Sequence, residues 1–202
     1  MEKRKKFVIT IGREFGAEGH EIGKELAERL GINMYDKDLL SMAAEKSGID
    51  RDTLASTEER VVNRFLEPYV PLGFNGEKVA DRVFKIQSQI IRELADNESC
   101  VIIGRLADYI LRDEKRCIRV FIFAPLEDRV KRIAKKHSIS EEAARKLIKR
   151  MDTARKNYYS YYSNGKAKWS SKEGKDILLN RECYDIDGCV DILEMMIRKQ
   201  FY

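Results

Sequence analysis

The chain has 202 residues, enough for one domain with a proper core, and a formal net charge of +5. Hydrophobic residues make up 43% and charged residues 36%, and no apolar run approaches the roughly 20 residues that span a bilayer. The mild positive charge suits anionic small molecules, and without helix-turn-helix or RNA-binding aromatic motifs a sequence-specific nucleic-acid partner is not expected.

The opening MEKRKK runs straight into strand residues, with no apolar segment before a cleavage site, so a secretory leader is not expected. Phe7–Ile11 (FVITI) predicts a buried strand. Glycines follow at Gly12, Gly16 and Gly19, and a helix begins after Gly19 with Ile22, Leu26 and Leu30 on one face and a stop at Gly31. A short strand is predicted at Ile32–Tyr35 and a helix over Lys37–Lys46. From Asp50 to Asn97 there is no strand signal: Pro68 and Pro71 bracket a break, Gly73–Lys78 reads as a loop, and Val79–Leu94 carries a helical period through Val83, Ile86, Ile90 and Leu94. This stretch predicts a helical insertion between two strands.

Cys100–Ile103 (CVII) and Ile118–Ala124 (IRVFIFA) predict the next strands. Pro125 opens the helix LEDRVKRIAKKH, and Ser140 is an N-cap for a long helix that ends in NYYSYY. A polar loop, SNGKAKWSSKEGK, leads to a strand at Asp176–Leu179, and Asp187–Gln200 closes the chain as a helix with Val190, Leu193 and Ile197 inward. Near-continuous apolar strands alternating with helices predict an α/β fold whose parallel sheet is covered on both faces. Cys100, Cys117, Cys183 and Cys189 form no CxxC pair, and three of them lie in or beside apolar runs, as expected of reduced thiols in a cytoplasmic protein. His20 and His137 are too few for a histidine-rich metal site.

Strand, glycine-spaced turn, helix is a common way to hold a phosphate, because backbone N–H groups turn inward and the helix N-terminus adds a positive dipole end. Gly12, Gly16 and Gly19 permit that approach, but the loop lacks the Gly-Lys-Ser/Thr of a working phosphate-binding loop. Arg13 and His20 are candidates for the missing cation, whereas Glu14, Glu18 and Glu21 oppose a polyphosphate. Gly104-Arg105 follows directly on a buried strand, where ligands of open parallel sheets bind, and suits a bidentate phosphate or carboxylate contact. Pairing of Arg105 with Asp108 or Asp113 is the plainer alternative. Arg129, Arg132, Arg145, Arg150 and Arg155 read as a mostly solvated charge series with carboxylate partners nearby. Tyr158, Tyr159, Tyr161 and Tyr162 read first as packing for the long helix and second as a base-stacking surface.

Taken together these residues resemble the cytidylate kinase-like family, a branch of the P-loop nucleoside monophosphate kinases. ITIGREFGAEGHEIGKELAERLG with YDKDLL is similar to its opening. CVIIGRLADYIL, RVFIFAPLEDRVKRI and KRMDTARKNYYSYYS are similar to its centre, and DILLNRECYDIDGCVDIL to its close. The resemblance implies a P-loop kinase-like three-layer αβα fold with about five parallel strands. It implies a core of residues 1–49, 97–136 and 173–202, a monophosphate-binding insertion over 50–96 and a lid over 137–172.

It also implies ATP with nucleotide-bound Mg²⁺ as phosphate donor, a monophosphate such as CMP or dCMP as acceptor, and small-molecule nucleotides as the partners, with no membrane. Gly12, Arg13, Gly16, Gly19 and His20 would bind phosphate, and Asp36, Arg105 and Asp108 the acceptor. Arg129, Arg132, Arg150 and Arg155 would belong to the lid, with Arg13, Arg150 and Arg155 catalytic and no protein metal ligand. The sequence departs from the family pattern at three points. Gly19 and Glu21 stand where its lysine and hydroxyl belong, Leu106 replaces the aspartate of Gly-Arg-Asp, and Asp36-Lys37-Asp38 replaces Asp-Thr-Gly. A nucleotide sensor without turnover, or a kinase for a non-nucleotide acceptor, are the other readings.

Overall fold

Ile9 and Ile11 point to one face of the first strand and Val8 and Thr10 to the other, and all four are buried. A strand sealed on both faces needs a helical layer on each side. The computed structural model, which describes residues 6–36, 38–47 and 75–202, supplies both. Its elements run β1 (Val8–Arg13), α1 (Gly19–Leu30), β2 (Asn33–Tyr35), α2 (Asp38–Ser47), α3 (Asn75–Asn97), β3 (Cys100–Ile103), α4 (Ala107–Ile110), β4 (Cys117–Phe123), α5 (Leu126–His137), α6 (Glu141–Tyr162), β5 (Ile177–Asn180) and α7 (Arg181–Phe201). All five strands are parallel, in the order β2-β3-β1-β4-β5.

One core layer joins Ile9, Ile11, Val101, Ile103 and Val120 to Ile22 and Leu26 of α1 and Val190, Leu193 and Ile197 of α7. The other joins Val8, Cys100, Ile102 and Cys117 to Leu39 and Ala43 of α2, Ile90, Ile91 and Leu94 of α3, and Leu106 and Tyr159. A small third cluster, Val130, Ile133, Ala144 and Ile148, holds α5 against α6. These layers make the three-layer αβα sandwich predicted from the alternating pattern.

The predicted strands all occur, Cys100–Ile103 with the same ends and the others with ends shifted by no more than two residues. Ser140 caps α6 by accepting from the Ala143 N–H at 3.2 Å. The closing helix starts earlier than predicted, at Arg181, but Asp185 breaks it with φ 49° and ψ −166°. The Asp185 side chain then accepts from the Gly188 N–H at 2.9 Å and restarts the helix, close to the predicted start at Asp187. Helix α3 begins at Asn75, so the last four residues of the stretch predicted as a loop, Gly73–Lys78, are helical. Pro68, Pro71 and the rest of the insertion before Asn75 lie outside the described residues, as do the first five. Cys100, Cys117 and Cys189 are buried, Cys183 is exposed, and all four are free. Among the described residues no helix is long and apolar enough to cross a membrane.

Candidate functional site

Parallel strands bring their carboxyl ends to one edge, and there the neighbours β2, β3 and β1 deliver Asp36, Gly104-Arg105 and Arg13. The register carries β1 two residues past β3: Ile11 pairs with Ile103, while Gly12 and Arg13 pair only with β4. Arg13 therefore projects over the turn that follows β3. A Cβ built on Gly104 would stand 2.1 Å from Arg13 Nη1, and one on Gly19 would stand 2.6 Å from Arg13 Cβ. The two glycines form the walls of a slot that only bare backbone leaves open.

From this slot Arg13 Nη2 lies 3.8 Å from Asp36 Oδ1, and His20 Nδ1 is 2.9 Å from Asp36 Oδ2. Arg155 of α6 donates to the Arg13 carbonyl oxygen at 3.0 Å. Burial pushes the Arg13 guanidinium down to about 9, with Arg155 and Arg105 adding repulsion and Asp36 opposing it. At neutral pH it stays charged. Burial likewise lowers Arg155, against Asp152 and Asp36. Burial pushes the Tyr158 hydroxyl up to about 12, and Arg105 pulls it the other way. Arg13 thus feels both Arg155 and Arg105 as like charges and Asp36 as their counterweight, and such an excess of positive charge favours an added anion.

Each loop glutamate has a cation partner on α5, although Glu21 also acts on Arg13. Glu14 Oε2 lies 3.3 Å from Arg129 Nε, Glu18 Oε2 lies 3.2 Å from Arg132 Nε and contacts Arg181, and Glu21 Oε1 lies 3.0 Å from Lys136 Nζ. Residues 129, 132 and 136 share one face of α5. That face neutralises the carboxylates read from sequence as opposing a polyphosphate. It also corrects two lid residues. Arg129 is buried at 7% exposure, donates to Ala124 and Phe15 carbonyl oxygens, and pairs with Asp152 at 2.7 Å. Arg132 is taken up by Glu18, Glu182 and the Gly16 carbonyl oxygen. Both sit on α5, before residue 137, and their partners lie up to 116 residues away in sequence.

Asp152 also accepts from the Phe15 N–H at 2.8 Å, so a carboxylate of the protein itself holds one loop amide. Gly12 is the penultimate residue of β1, and Gly16 adopts φ 83° beside Ile133 of α5. Arg150 lies exposed on α6, one and a half turns before Arg155. Asp108, expected beside the acceptor, is buried instead: its carboxylate lies 2.6 Å from Lys175 Nζ and accepts from the Tyr159 hydroxyl at 2.9 Å. The tyrosines of α6 pack as first read, with Tyr162 stacked on Phe84 of α3 at 3.9 Å and Tyr158 at its edge.

The model of the cytidylate kinase-like family matches residues 8–183. The chain belongs to that family. A cytidylate kinase of Methanopyrus kandleri is 26% identical over 165 residues, which span 77% of this chain and 76% of that protein. A crystal structure of an uncharacterized protein from Eubacterium ventriosum superimposes with a TM-score of 0.74 at 28% identity, over 96% of this chain and all of that one. A shikimate kinase of Bacteroides thetaiotaomicron, 14% identical with a TM-score of 0.55 over 95% of this chain and 98% of that one, shares the fold. The fold is that of the P-loop kinases.

In this family member the loop departs from the lysine pattern. Position 19 has no side chain, and Arg13 runs past it from the strand end. Among the described residues there is no group of three or more His, Cys, Asp and Glu side chains placed to hold a metal ion. Sequence reading missed Lys175 and the polar role of Tyr159, whose shared partner Asp108 is at least 51 residues away, and it gave no sign that Asp152 holds the Phe15 amide, 137 residues away. It also missed Gln87, 3% exposed on the apolar stripe of α3 with no partner for Nε2 among the described residues. The one available signal was a polar residue on the stripe Val83, Ile90, Leu94.

Proposed function

We propose that this chain transfers the γ-phosphoryl group of ATP·Mg²⁺ to a nucleoside monophosphate, with CMP and dCMP as the first acceptors. The observation that carries the reading is the meeting of Arg13 with Asp36, 3.8 Å away, and with Arg155, which holds its carbonyl oxygen, at the carboxyl edge of the sheet, with Arg105 close enough to repel Arg13. An acceptor phosphate oxygen attacks the γ-phosphorus in line, the bond to the β–γ bridging oxygen breaks, and ADP leaves with that electron pair. Arg13 takes the donor phosphates in place of the loop lysine, Arg105 the acceptor phosphate, and Arg155 the transferring group, with Arg150 on the same helix as a further contact. Asp36 and His20 orient Arg13, and the magnesium ion is carried in by the nucleotide. Their work is positioning and charge neutralisation, which is most of what phosphoryl transfer asks of a protein. The helical insertion over 50–96 would enclose the acceptor, and the segment over 137–172 would exclude water. The substrates and the free thiols suit the cytoplasm.

A second reading is favoured by the Phe15 amide already satisfied by Asp152 and by Gly19 and Glu21 in the lysine and hydroxyl positions. It is a domain that binds a phosphorylated ligand without turnover. Incubation with ATP and Mg²⁺ across a panel of nucleoside monophosphates, with binding and ADP measured together, separates the two. Acceptor-dependent ADP that is lost in Arg105→Ala and Arg155→Ala supports the kinase. Saturable binding with no ADP for any acceptor overturns it as a nucleotide kinase.

A further inference from the structure

The turn after β3 is strained. Gly104, Arg105 and Leu106 have φ values of 69°, 54° and 60°, three left-handed residues in a row, and two of them carry side chains. Such conformations cost free energy and persist only where the surroundings over-determine them. Arg105 is the residue that this strain aims. On one side the turn is held by the Gly104 N–H, which donates to the Ile11 carbonyl oxygen at 2.9 Å, and by Leu106, buried at 3% exposure. On the other side it runs directly into Asp108.

Asp108 lies in a buried three-way contact. Lys175 Nζ is 2.6 Å from its carboxylate, the Tyr159 hydroxyl donates to it at 2.9 Å, and Lys175 also donates to the Tyr159 hydroxyl at 3.3 Å. The lysine and aspartate side chains are 1% and 8% exposed. Burial and the Asp108 charge keep the Tyr159 hydroxyl protonated and therefore a donor. Each member comes from a different place: Asp108 three residues after Arg105, Tyr159 one helical turn after Arg155, and Lys175 at the end of the loop that returns to β5. Residues 155 and 159 lie on the same face of α6.

We infer that Asp108, Tyr159 and Lys175 are positioning residues that fix Arg105 relative to Arg155 without touching the ligand, and so set the spacing of the phosphate contacts. This rests on the reading of the arginine cluster as a phosphate site. The physical reason is directional. A buried, paired carboxylate has a narrow range of geometries because any departure leaves a charge unsatisfied in a medium of low dielectric. Apolar packing alone tolerates a slide of α6 along α4; this triad does not. It also pins both ends of the 160–174 stretch, since Tyr159 precedes it and Lys175 closes it, and the Tyr109 hydroxyl adds a further tie to the Ser163 carbonyl oxygen at 3.4 Å.

The test is a thermodynamic cycle on the full chain, with CMP and inorganic pyrophosphate as probes in titration calorimetry. Tyr159→Phe keeps the ring and removes one hydroxyl; Lys175→Met removes the cation and keeps the stem. Each is expected to weaken probe binding by about tenfold, the factor for losing a hydrogen bond of ordinary strength to a charged group. In an Arg105→Ala background the same changes should alter affinity by less than twofold, because the residue they position is gone. Lower thermal stability with unchanged affinity marks a merely structural role and overturns the inference, as does a tenfold loss that persists without Arg105. Should Lys175→Met fail to fold, Tyr159→Phe decides. If the unaltered chain binds neither probe, or Arg105→Ala does not weaken binding, the phosphate-site reading falls and the triad inference with it. If Arg105→Ala weakens binding and Tyr159→Phe does not, only the triad inference falls.

Discussion

Arg13 lies across Gly104 so closely that a methyl group at residue 104 would meet its guanidinium at 2.1 Å. The strand end supplies the cation, and the turn after the neighbouring strand supplies the space. With φ at 69°, an alanine there is strained as well as crowded. Gly104→Ala is expected to lose about 1–2 kcal/mol of stability, read from urea denaturation, and to weaken phosphate-probe binding through displaced Arg13.

Restoring the missing lysine should not help. Gly19→Lys places a Cβ 2.6 Å from Arg13 Cβ, backbone-near atoms that cannot swing aside. The single variant is expected to bind nucleotide more weakly than the unaltered chain. Paired with Arg13→Gly, which removes that Cβ and clears the slot, it should recover affinity. Calorimetry of the three chains against ATP checks the order, and a gain from Gly19→Lys alone would refute it.

Arg129 bridges Glu14, Asp152 and two carbonyl oxygens while buried at 7% exposure. Arg129→Met strands two carboxylates near the core, and breaking a buried pair costs about 3–5 kcal/mol. Glu14 responds the opposite way. Burial raises its carboxyl above the ordinary 4.5, against the Ala124 N–H and Arg129. A carboxyl raised on folding adds stability that is lost as pH rises through the folded value. Glu14→Gln should therefore gain stability over the unaltered chain at neutral pH, with the advantage vanishing below 4.5; thermal melts across that pH range measure it.

Gln87 presents a different kind of test. Its amide nitrogen is buried with no hydrogen-bond partner among the described residues, and such a group costs about 1–3 kcal/mol. Gln87→Met should raise stability by an amount in that range, in denaturant titrations.

The thiols should differ sharply in reactivity. Burial pushes Cys100 and Cys117 up to about 12 and Cys189 up to about 11. Cys183 is the exposed one. Iodoacetamide at mildly alkaline pH is expected to modify Cys183 in the folded protein and the other three only after denaturation, as read by peptide mass analysis.

Strands, helices and the parallel sheet were legible in the chain because they arise from local pattern: apolar runs, helical spacing, Ser140 as a cap, Gly31 as a stop. The family was legible for the same reason, since its motifs are contiguous. The fate of each charge was not. Arg129 and Arg155 look alike in sequence, yet one is consumed by Glu14 and Asp152 and the other reaches the Arg13 carbonyl oxygen, 142 residues back. Asp108 next to Arg105 reads as an acceptor contact until Lys175, 67 positions later, claims it. Coulombic partners and the space beside a glycine are set by which distant segments fold together, and spacing along the chain carries no record of that. So the architecture and the family follow from neighbours in sequence, while the pairing that sets Arg129 and Arg132 apart from Arg13 and Arg155 belongs to the packed molecule.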